Sequence, residues 1–382
     1  MTRHFFGFLG AGLFLVAVAG AGCSSSDIGA GSGGAGGSTA TGSGGSTMID
    51  PSGSGGSVVT SGTGGADTSG GSGGAVAPVD AGSSDDSGVV PKDGPVAGDV
   101  DTTKGAVRLV AYLPNYSGSF SMWATKVNFS RVTHLNLAFA LATATNGWNM
   151  GASDADVKAI VDAAHAAGVK VLPSLGGGGG DQSVIGRYNT ASNVDPLVQS
   201  LDAFIAKYNF DGADIDIESP ANLGANFSNF VNKVVAKLRP EGKLVTAAVA
   251  QYLQENMQDA TLHQFDFVNV MIYSGLTQTM KDITYYLNTK KVPKDQVVLG
   301  AGFFGTEPGD KEISYASIIK ADPMAWSKDS TTVSGQTVNY TGMDTMKKLT
   351  EYAKTIGGIM VWDLTEDTYD DHSLMKVIQG DL

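Results

Sequence analysis

The 382-residue chain has few of the residues that build disulfide-stabilised, metal-binding or nucleic-acid-binding proteins. Cys23 is its single cysteine, so no disulfide can form within the chain. The five histidines lack the spacing of metal ligands, and no metal or organic cofactor is implied. Lys and Arg number 25 against 38 Asp and Glu, without a basic run. This balance argues against nucleic acid as a partner and suits a neutral glycan better.

Apolar side chains are also scarce between Gly29 and Gly98, a stretch that contains 23 of the 52 glycines. Ser, Thr, Ala and Asp fill most of its other positions, and such a composition has too little apolar surface to fold. We therefore predict a disordered Gly/Ser-rich tether over residues 23–104 and one folded domain over residues 105–382. A flexible tether of this length has a root-mean-square reach of about 50 Å.

Residues 1–22 have the features of a secretory signal peptide: a short charged start and an apolar run from Phe5 to Ala21. Small residues precede Cys23, and this site resembles a bacterial lipoprotein cleavage site. The resemblance implies lipidation of Cys23, and hence a protein that is secreted or anchored in the outer membrane at the bacterial cell surface. Its membrane contact would then be through the lipid alone. Ordinary secretion, or an uncleaved anchor helix, is the alternative.

From residue 107 onward, short apolar runs alternate with helix-like segments. Eight strands are predicted, the fourth of them ending at Glu218: 107–113, 132–139, 169–175, 211–218, 243–249, 267–273, 297–303 and 358–362. Near-continuous apolar strands that alternate with helices imply parallel pairing with right-handed crossovers. Eight such units predict an α/β fold, a (β/α)8 TIM barrel. A doubly wound sheet is the alternative, but the chain lacks a glycine-rich phosphate turn after its first strand.

The helices of this pattern carry recognisable start and stop signals. Ser153 caps a predicted helix that ends near Ala167, and Asp195-Pro196 is expected to open the helix that ends near Asn209. In a barrel the active site lies at the carboxyl ends of the strands. We expect Glu218, Tyr273 and Trp362 there, each at the end of its strand.

Acidic and aliphatic residues alternate along the predicted fourth strand. Asp214, Asp216 and Glu218 therefore share one face, about 7 Å apart along the strand, while Ile215 and Ile217 point into apolar packing. Mutual repulsion and lost hydration should raise the pKa of at least one acid, as in a catalytic site. An exposed edge strand with a solvated acidic face is the alternative interpretation.

Asp211 to Glu218 resembles the DGxDxDxE signature of glycoside hydrolase family 18, which contains chitinases and endo-β-N-acetylglucosaminidases. Three further motifs are similar to those of the family, in the same order: Ser174 to Gly177 (SxGG), Met271 to Tyr273 (MxY) and Gly357 to Trp362 (GGxMxW). Tyr112 to Tyr116 also resembles the first strand of bacterial members. The resemblance covers most of the folded part.

The resemblance implies a mechanism in which the substrate supplies the nucleophile. Glu218 would be the general acid and then the general base, and the 2-acetamido carbonyl would attack C1 with overall retention. Asp216 would hold the acetamido N–H, and Asp214 would share a proton or hydrogen bond with Asp216. Tyr273 would bind the acetamido oxygen, and Trp362 would form an apolar floor under the sugar. Both aromatics also fit ordinary core packing.

Four further residues of the matched motifs are expected to line the substrate site: Tyr112, Ser174, Gly176 and Met271. Ser174 is expected to be a supporting hydrogen-bond donor, because no histidine lies in a triad-like context. Ser274 departs from the family pattern, in which Asp or Asn commonly follows the MxY tyrosine.

The predicted substrate is chitin, chito-oligosaccharide or another N-acetylglucosamine-containing glycan, cleaved by a monomeric enzyme. The chitobiose core of N-glycans is the nearest alternative substrate, and a non-catalytic chitin-binding lectin is the alternative class of protein. A glutamate at position 218 favours catalysis over the lectin. The segment between predicted strands seven and eight is too short for a large insertion, so we expect a shallow, endo-acting groove.

Overall fold

The structure is a computed structural model, and it describes residues 107–178, 190–219, 223–254 and 256–382. The predicted signal peptide, the predicted tether and Cys23 lie outside the described residues. Within the described ranges, no helix combines the length and the apolar content needed to cross a membrane.

Eight parallel strands form a closed barrel, as the sequence predicts. The barrel strands are β1 (Arg108–Pro114), β2 (His134–Ala142), β4 (Lys170–Gly176), β5 (Gly212–Asp216), β6 (Leu244–Val249), β7 (Val268–Val270), β8 (Val297–Gly302) and β13 (Gly358–Trp362). β1 pairs with both β2 and β13, and these pairings close the barrel. A short strand, β3 (Trp148–Asn149), pairs antiparallel with the end of β2.

Helices cover the outside of the barrel. They are α1 (Phe120–Ala124), α2 (Asp154–Ala166), α3 (Ala191–Tyr208), α4 (Ala225–Leu238), α5 (Gln251–Gln254), α6 (Asp259–Leu262), α7 (Leu276–Thr284), α8 (Tyr315–Ala321), α9 (Met343–Ala353) and α10 (Leu374–Asp381). Ser153 caps α2 as predicted, accepting a hydrogen bond from the Asp156 N–H.

The start predicted for α3 is wrong. The helix begins at Ala191, four residues before Asp195, and Pro196 lies inside it. Val194, Leu197 and Leu201 are all buried and follow the spacing of one helix face. The apolar face therefore extends the helix past the proline, although Pro196 has no N–H to donate within it.

Two barrel strands end earlier than predicted. β5 ends at Asp216, so Glu218 lies in the loop that follows, and β7 ends at Val270, three residues before Tyr273. β5 pairs with β4 as far as Gly176 and Asp216; beyond this point Gly177 turns back and donates its N–H to the Asp216 carbonyl at 2.7 Å. The backbone thus leaves the sheet before Glu218, above the carboxyl end of the strand.

The segment between β8 and β13 contains a second sheet that the sequence analysis did not predict. Four short antiparallel strands form it in the order β10-β9-β12-β11. They are β9 (Phe304–Glu307), β10 (Lys311–Ser314), β11 (Ser330–Val333) and β12 (Gln336–Tyr340). We call this element the inserted sheet. A single residue, Phe303, separates it from the end of β8, so it begins at the carboxyl-terminal edge of the barrel where the site is expected.

The apolar core has two parts. The larger part lies between the strands and the surrounding helices. The smaller part fills the barrel and consists of Val110, Tyr112, Ala138, Phe267, Val298 and Met360, with Phe139, Met271, Tyr273 and Trp362 packed against it. The aromatic residues predicted for the site thus cover the upper end of the interior core.

Candidate active site

Asp214 is the most deeply buried carboxyl group of the site, with no exposed surface. Its Oδ2 atom accepts hydrogen bonds from the Tyr112 hydroxyl at 2.7 Å and from the Ser174 hydroxyl at 2.9 Å. Its Oδ1 atom accepts one from the Thr246 hydroxyl at 2.6 Å and one from the Asn269 amide at 3.3 Å. Four barrel strands therefore hold this side chain in one orientation.

Burial raises the pKa of Asp214, and the four hydrogen bonds oppose that rise. None of these bonds comes from Asp216, so the contact expected between the two acids is electrostatic in this arrangement. Tyr112 contributes a firmly held proton, because burial and the charges of Asp214 and Asp216 raise its pKa well above the usual value. Asp214 is thus the carboxyl group of the acidic face whose position is fixed by the surrounding strands.

Asp216 is also buried, with 2% of its surface exposed, but its hydrogen bonds are incomplete. Its Oδ1 atom has no hydrogen-bond donor in the described part of the chain. Burial raises the pKa of Asp216 well above the usual value, and the charges of Glu218 and Asp214 add to the rise. A buried carboxyl without a donor is costly, and it is positioned to take a donor from a bound molecule.

Glu218 is half-buried in the loop after β5. Its Oε2 atom accepts a hydrogen bond from the Tyr252 hydroxyl at 3.4 Å. Burial raises the pKa of Glu218, whereas the hydrogen bonds from Tyr252 and from the Gly178 backbone lower it. A carboxyl with a raised pKa keeps its proton to a higher pH than a free carboxyl and is suited to donate it.

Two glycines allow the acidic loop to lie against the end of β4. A Cβ atom on Gly176 would overlap the Asp216 carbonyl oxygen, and the φ of Gly176 is +113°. A Cβ atom on Gly178 would lie 2.9 Å from Glu218 Oε1. Gly176 and Gly178 thus allow a close approach of the two backbones that a side chain would block.

Aromatic side chains form the floor of the site. The Trp362 ring lies 5.6 Å from Tyr112, edge to face, and 5.6 Å from Phe139, nearly stacked. Tyr273 packs edge to face against Phe304 at 5.3 Å. Burial and the charges of Asp216 and Glu218 raise the pKa of Tyr273 well above the usual value, so its hydroxyl stays a donor.

The predicted site residues lie at one end of the barrel. Ser174 supports Asp214, Met271 and Trp362 both pack against the interior core, and the charges of Asp214 and Glu218 act on Asp216. Asp211 lies apart from the cluster, where it accepts hydrogen bonds from His165 and from the Val171 N–H. These contacts give Asp211 a structural role.

Sequence reasoning missed four contributors: Thr246, Asn269, Tyr252 and Phe139. Thr246 and Asn269 interrupt otherwise apolar strands, and that interruption was the one signal for a polar partner inside the barrel. Tyr252 follows β6 and Phe139 lies within β2, and neither carries a distinctive motif. In the described ranges, no group of His, Cys, Asp and Glu side chains is arranged to hold a metal ion.

Comparison with known proteins identifies the family. Residues 108–367 match the profile of the glycosyl hydrolases family 18. An exochitinase from Streptomyces olivaceoviridis is 37% identical over 102 residues, which cover 26% of this chain and 16% of the exochitinase. A chitinase-like effector from Moniliophthora roreri is 36% identical over 121 residues, covering 31% of this chain and 30% of the effector. The chain thus spans less than a third of these two relatives.

Solved structures agree with the fold. A family 18 chitinase from the chitin utilization locus of Flavobacterium johnsoniae aligns with a TM-score of 0.64 at 25% identity, over 72% of this chain and 93% of the chitinase. A plant class V chitinase from Cycas revoluta aligns with a TM-score of 0.62 at 23% identity, over 72% and 99% of the two chains, and supports the fold alone. With its barrel and more than half of its length matched, the chain belongs to the glycosyl hydrolases of family 18.

Proposed function

We propose that the protein hydrolyses β-1,4 bonds next to N-acetylglucosamine in chitin or chito-oligosaccharides, with retention of configuration. The observation that carries the proposal is the pair Asp216 and Glu218, two partly or fully buried carboxyl groups with raised pKa values above an aromatic floor. The chitinases among the relatives support the choice of substrate.

Glu218 begins the reaction as a protonated acid. It donates its proton to the glycosidic oxygen as the bond from that oxygen to C1 breaks. Burial favours the neutral form of Glu218 and raises its pKa, so the proton stays available to a higher pH than on a free carboxyl. The leaving sugar departs with a new hydroxyl group, and Glu218 remains as a carboxylate.

The substrate's own acetamido group stabilises C1 in this step. Its carbonyl oxygen forms a bond to C1, giving an oxazolinium ion, as in other substrate-assisted hydrolases. Asp216 is suited to accept the acetamido N–H, because its Oδ1 atom has no donor of its own in the described ranges. Tyr273 is suited to donate its hydroxyl to the acetamido oxygen, because its raised pKa keeps it protonated.

Water completes the reaction. The Glu218 carboxylate removes a proton from a water molecule, and the resulting oxygen attacks C1 from the face that the leaving group vacated. The bond to the acetamido oxygen then breaks, so two inversions give net retention. Glu218 is protonated again and ready for the next cycle.

Asp214 acts on this chemistry through Asp216. The charge of Asp214 helps to keep the pKa of Asp216 high, and its own position is fixed by Tyr112, Ser174, Thr246 and Asn269. We infer that this group sets the charge and direction of Asp216 without touching the substrate.

The substrate is tested by comparing a chito-oligosaccharide with a high-mannose glycopeptide, each incubated with the wild-type protein. Cleavage of the oligosaccharide supports the chitinase proposal. Cleavage of the glycopeptide alone would replace it with an endo-β-N-acetylglucosaminidase acting on N-glycan cores. Binding of the oligosaccharide without cleavage would place the protein among chitin-binding lectins.

We further propose that the protein is exported and lipidated at Cys23, which would anchor it to a membrane by acyl chains alone. Support comes from the apolar run and the small residues before Cys23 in the sequence. Metabolic labelling with a fatty acid should mark the full-length protein, and Cys23→Ser should abolish both the label and membrane association. Equal labelling of both proteins would contradict the proposal.

A further inference from the structure

One face of the inserted sheet is directed toward the acidic site. In the pairing of β9 with β10, Glu312 lies opposite Thr306 and Ser314 lies opposite Phe304. Directly opposed residues of an antiparallel pair share a face, and residues two apart along a strand share it too. Phe304 packs against Tyr273 at 5.3 Å, so this face adjoins the site. Glu312 is therefore on the side of the sheet that adjoins Tyr273.

The neighbouring charges lie on the other face. Lys311 is opposite Glu307 in the same strand pair, and the two form an ion pair at 2.7 Å. Gly305, also on that face, adjoins Val338 and Ile318, so the sheet packs there against α8. Because successive side chains of a strand point to opposite faces, the positive charge of Lys311 lies on the face opposite to Glu312.

Glu312 is exposed at the rim, yet the surrounding protein raises its pKa, and the charge of Asp363 adds to the rise. Its own charge raises the pKa of Glu218 and of Tyr273. Ser274, the next residue after Tyr273, carries no charge. On this side of the site, the inserted sheet therefore supplies a carboxylate, that of Glu312, whereas the residue after Tyr273 supplies none.

The groups that act on Glu218 are few. Tyr252 and the Gly178 N–H donate hydrogen bonds to it, Glu312 acts on it through charge, and the charge of Glu218 in turn raises the pKa of Asp216. Asp363 acts in turn on Glu312. No lysine, arginine or histidine of the described ranges contributes to the shifts of Glu218 or Glu312. The negative charge of Glu312 is thus not offset by a nearby cation of the described ranges.

We propose that Glu312 is a positioning residue of the hydrolase, a rim carboxylate whose charge keeps the general acid Glu218 protonated at the pH of catalysis. The inference rests on the proposed function, because it assigns Glu218 the acid role. It assigns a catalytic contribution to the inserted sheet. Glu312 acts on Glu218 across space and takes no part in bond making.

The test is the pH dependence of kcat/KM on a chito-oligosaccharide for wild type and Glu312→Gln. Removing the charge should lower the pKa of Glu218, so the basic limb should move to lower pH by about half a unit. Above that limb kcat/KM should fall about threefold, while Tm stays unchanged. Glu312→Asp retains the charge and should restore the wild-type limb.

Asp310→Asn is the matched control. Asp310 lies in the turn between β9 and β10 with a φ of 59°, a conformation that asparagine also adopts. The change removes the same unit of charge two residues away and should leave the limb in place. An unmoved limb in Glu312→Gln, or an equal shift in Asp310→Asn, would overturn the proposal.

A second readout separates this proposal from the proposed function. The Glu218 carboxyl carbon can be titrated by NMR, its signal identified by loss in Glu218→Gln. A lower pKa of Glu218 in Glu312→Gln supports the role of Glu312 whether or not the protein turns over. An unchanged pKa refutes that role, whereas a wild-type protein that cleaves neither substrate refutes the proposed function alone.

Discussion

Asp216 is nearly fully buried, and its Oδ1 atom has no donor among the described residues. Its pKa is raised by burial first and by the charges of Glu218 and Asp214 next. A carboxyl whose pKa is higher in the folded than in the unfolded chain destabilises the fold at high pH. That cost disappears once pH falls below the unfolded pKa of about 3.9.

We therefore expect Asp216→Asn to stabilise the protein while it impairs catalysis. At pH 7 the free energy of unfolding should rise by about 1–3 kcal/mol, because the amide carries no charge to bury. Activity should fall about 10²-fold, because in the proposed mechanism the acetamido group loses its charged partner. Thermal unfolding from pH 7 to pH 4 should show the Tm difference closing as wild-type Asp216 is protonated. Tm curves that stay parallel over this range would contradict this explanation.

Gly176 tests the close approach of β4 to the acidic loop. An added Cβ would overlap the Asp216 carbonyl oxygen, so Gly176→Ala should destabilise the fold by about 2–4 kcal/mol and reduce activity. Gly309→Ala is the control, because Gly309 also has a positive φ, +86°, but nothing lies within 4 Å of the position that its Cβ would take. Its cost should be about 1 kcal/mol, with full activity. If urea unfolding shows the same loss of stability for both variants, backbone strain and not overlap with Asp216 determines the cost of Gly176→Ala.

At the residue scale, much of the site could be predicted. Asp214, Asp216 and Glu218 were identified because their spacing is local in the sequence. Thr246 and Asn269 were not, because their contacts with Asp214 span 32 and 55 residues and exist only once the barrel closes. Long-range hydrogen bonds of this kind leave little trace in a strand's own pattern.

Among the elements, α10 begins at a buried carboxyl group, that of Asp367, which acts beside the helix cap Ser373. Asp367 accepts hydrogen bonds from the N–H groups of Leu374 and Met375, from its neighbour's N–H, and from the Ser373 hydroxyl. The Leu374 and Met375 N–H groups are among the donors that the first turn of a helix leaves free. The Asp367 side chain therefore ties the segment between β13 and α10 to the start of that helix.

Asp367→Ala should destabilise the protein by about 2–3 kcal/mol, because it leaves buried N–H groups without acceptors. Asp371→Ala is the control, since Asp371 is exposed and makes only a surface ion pair with Lys376 at 3.3 Å. That change should cost less than about 0.5 kcal/mol. Denaturant titration measures the free energy of unfolding of both variants. Similar losses in the two variants would refute the capping role of Asp367.

The short strands and the exact ends of strands are the parts of the fold that the sequence pattern did not predict. Apolar strands and capped helices were found, whereas the inserted sheet was missed because strands such as Ser330–Val333 and Lys311–Ser314 are short and mostly polar. The end of β5 was also wrong, because alternation continues to Glu218 while pairing ends at Asp216. Side-chain pattern alone does not record where a backbone leaves its sheet.

At the scale of the whole molecule, the barrel depends on its first strand. β1 is hydrogen-bonded to both β2 and β13, and among the strands that the structure describes no other one joins these two. Residues 1–106 lie outside the part of the chain that the structure describes. The fold class could be predicted because eight apolar strands alternate with helices, and closure follows from their number.

A protein that starts at residue 105 should therefore keep the Tm of the full chain within about 2 °C and retain its activity. A protein that starts at residue 115 lacks β1 and should not fold cooperatively. Calorimetry of both proteins measures the difference. Loss of stability in the longer version would show that the predicted tether contributes to the folded domain.

In the proposed function, Glu218 is both the general acid and the general base of a retaining hydrolase. We would measure the anomers released from a chito-oligosaccharide by NMR, for wild type and Glu218→Gln. The wild type should release β-anomers first, and the variant should lose about 10²- to 10⁴-fold in rate while still binding the sugar. Initial α-anomers, or a variant that cleaves at the wild-type rate, would contradict the account.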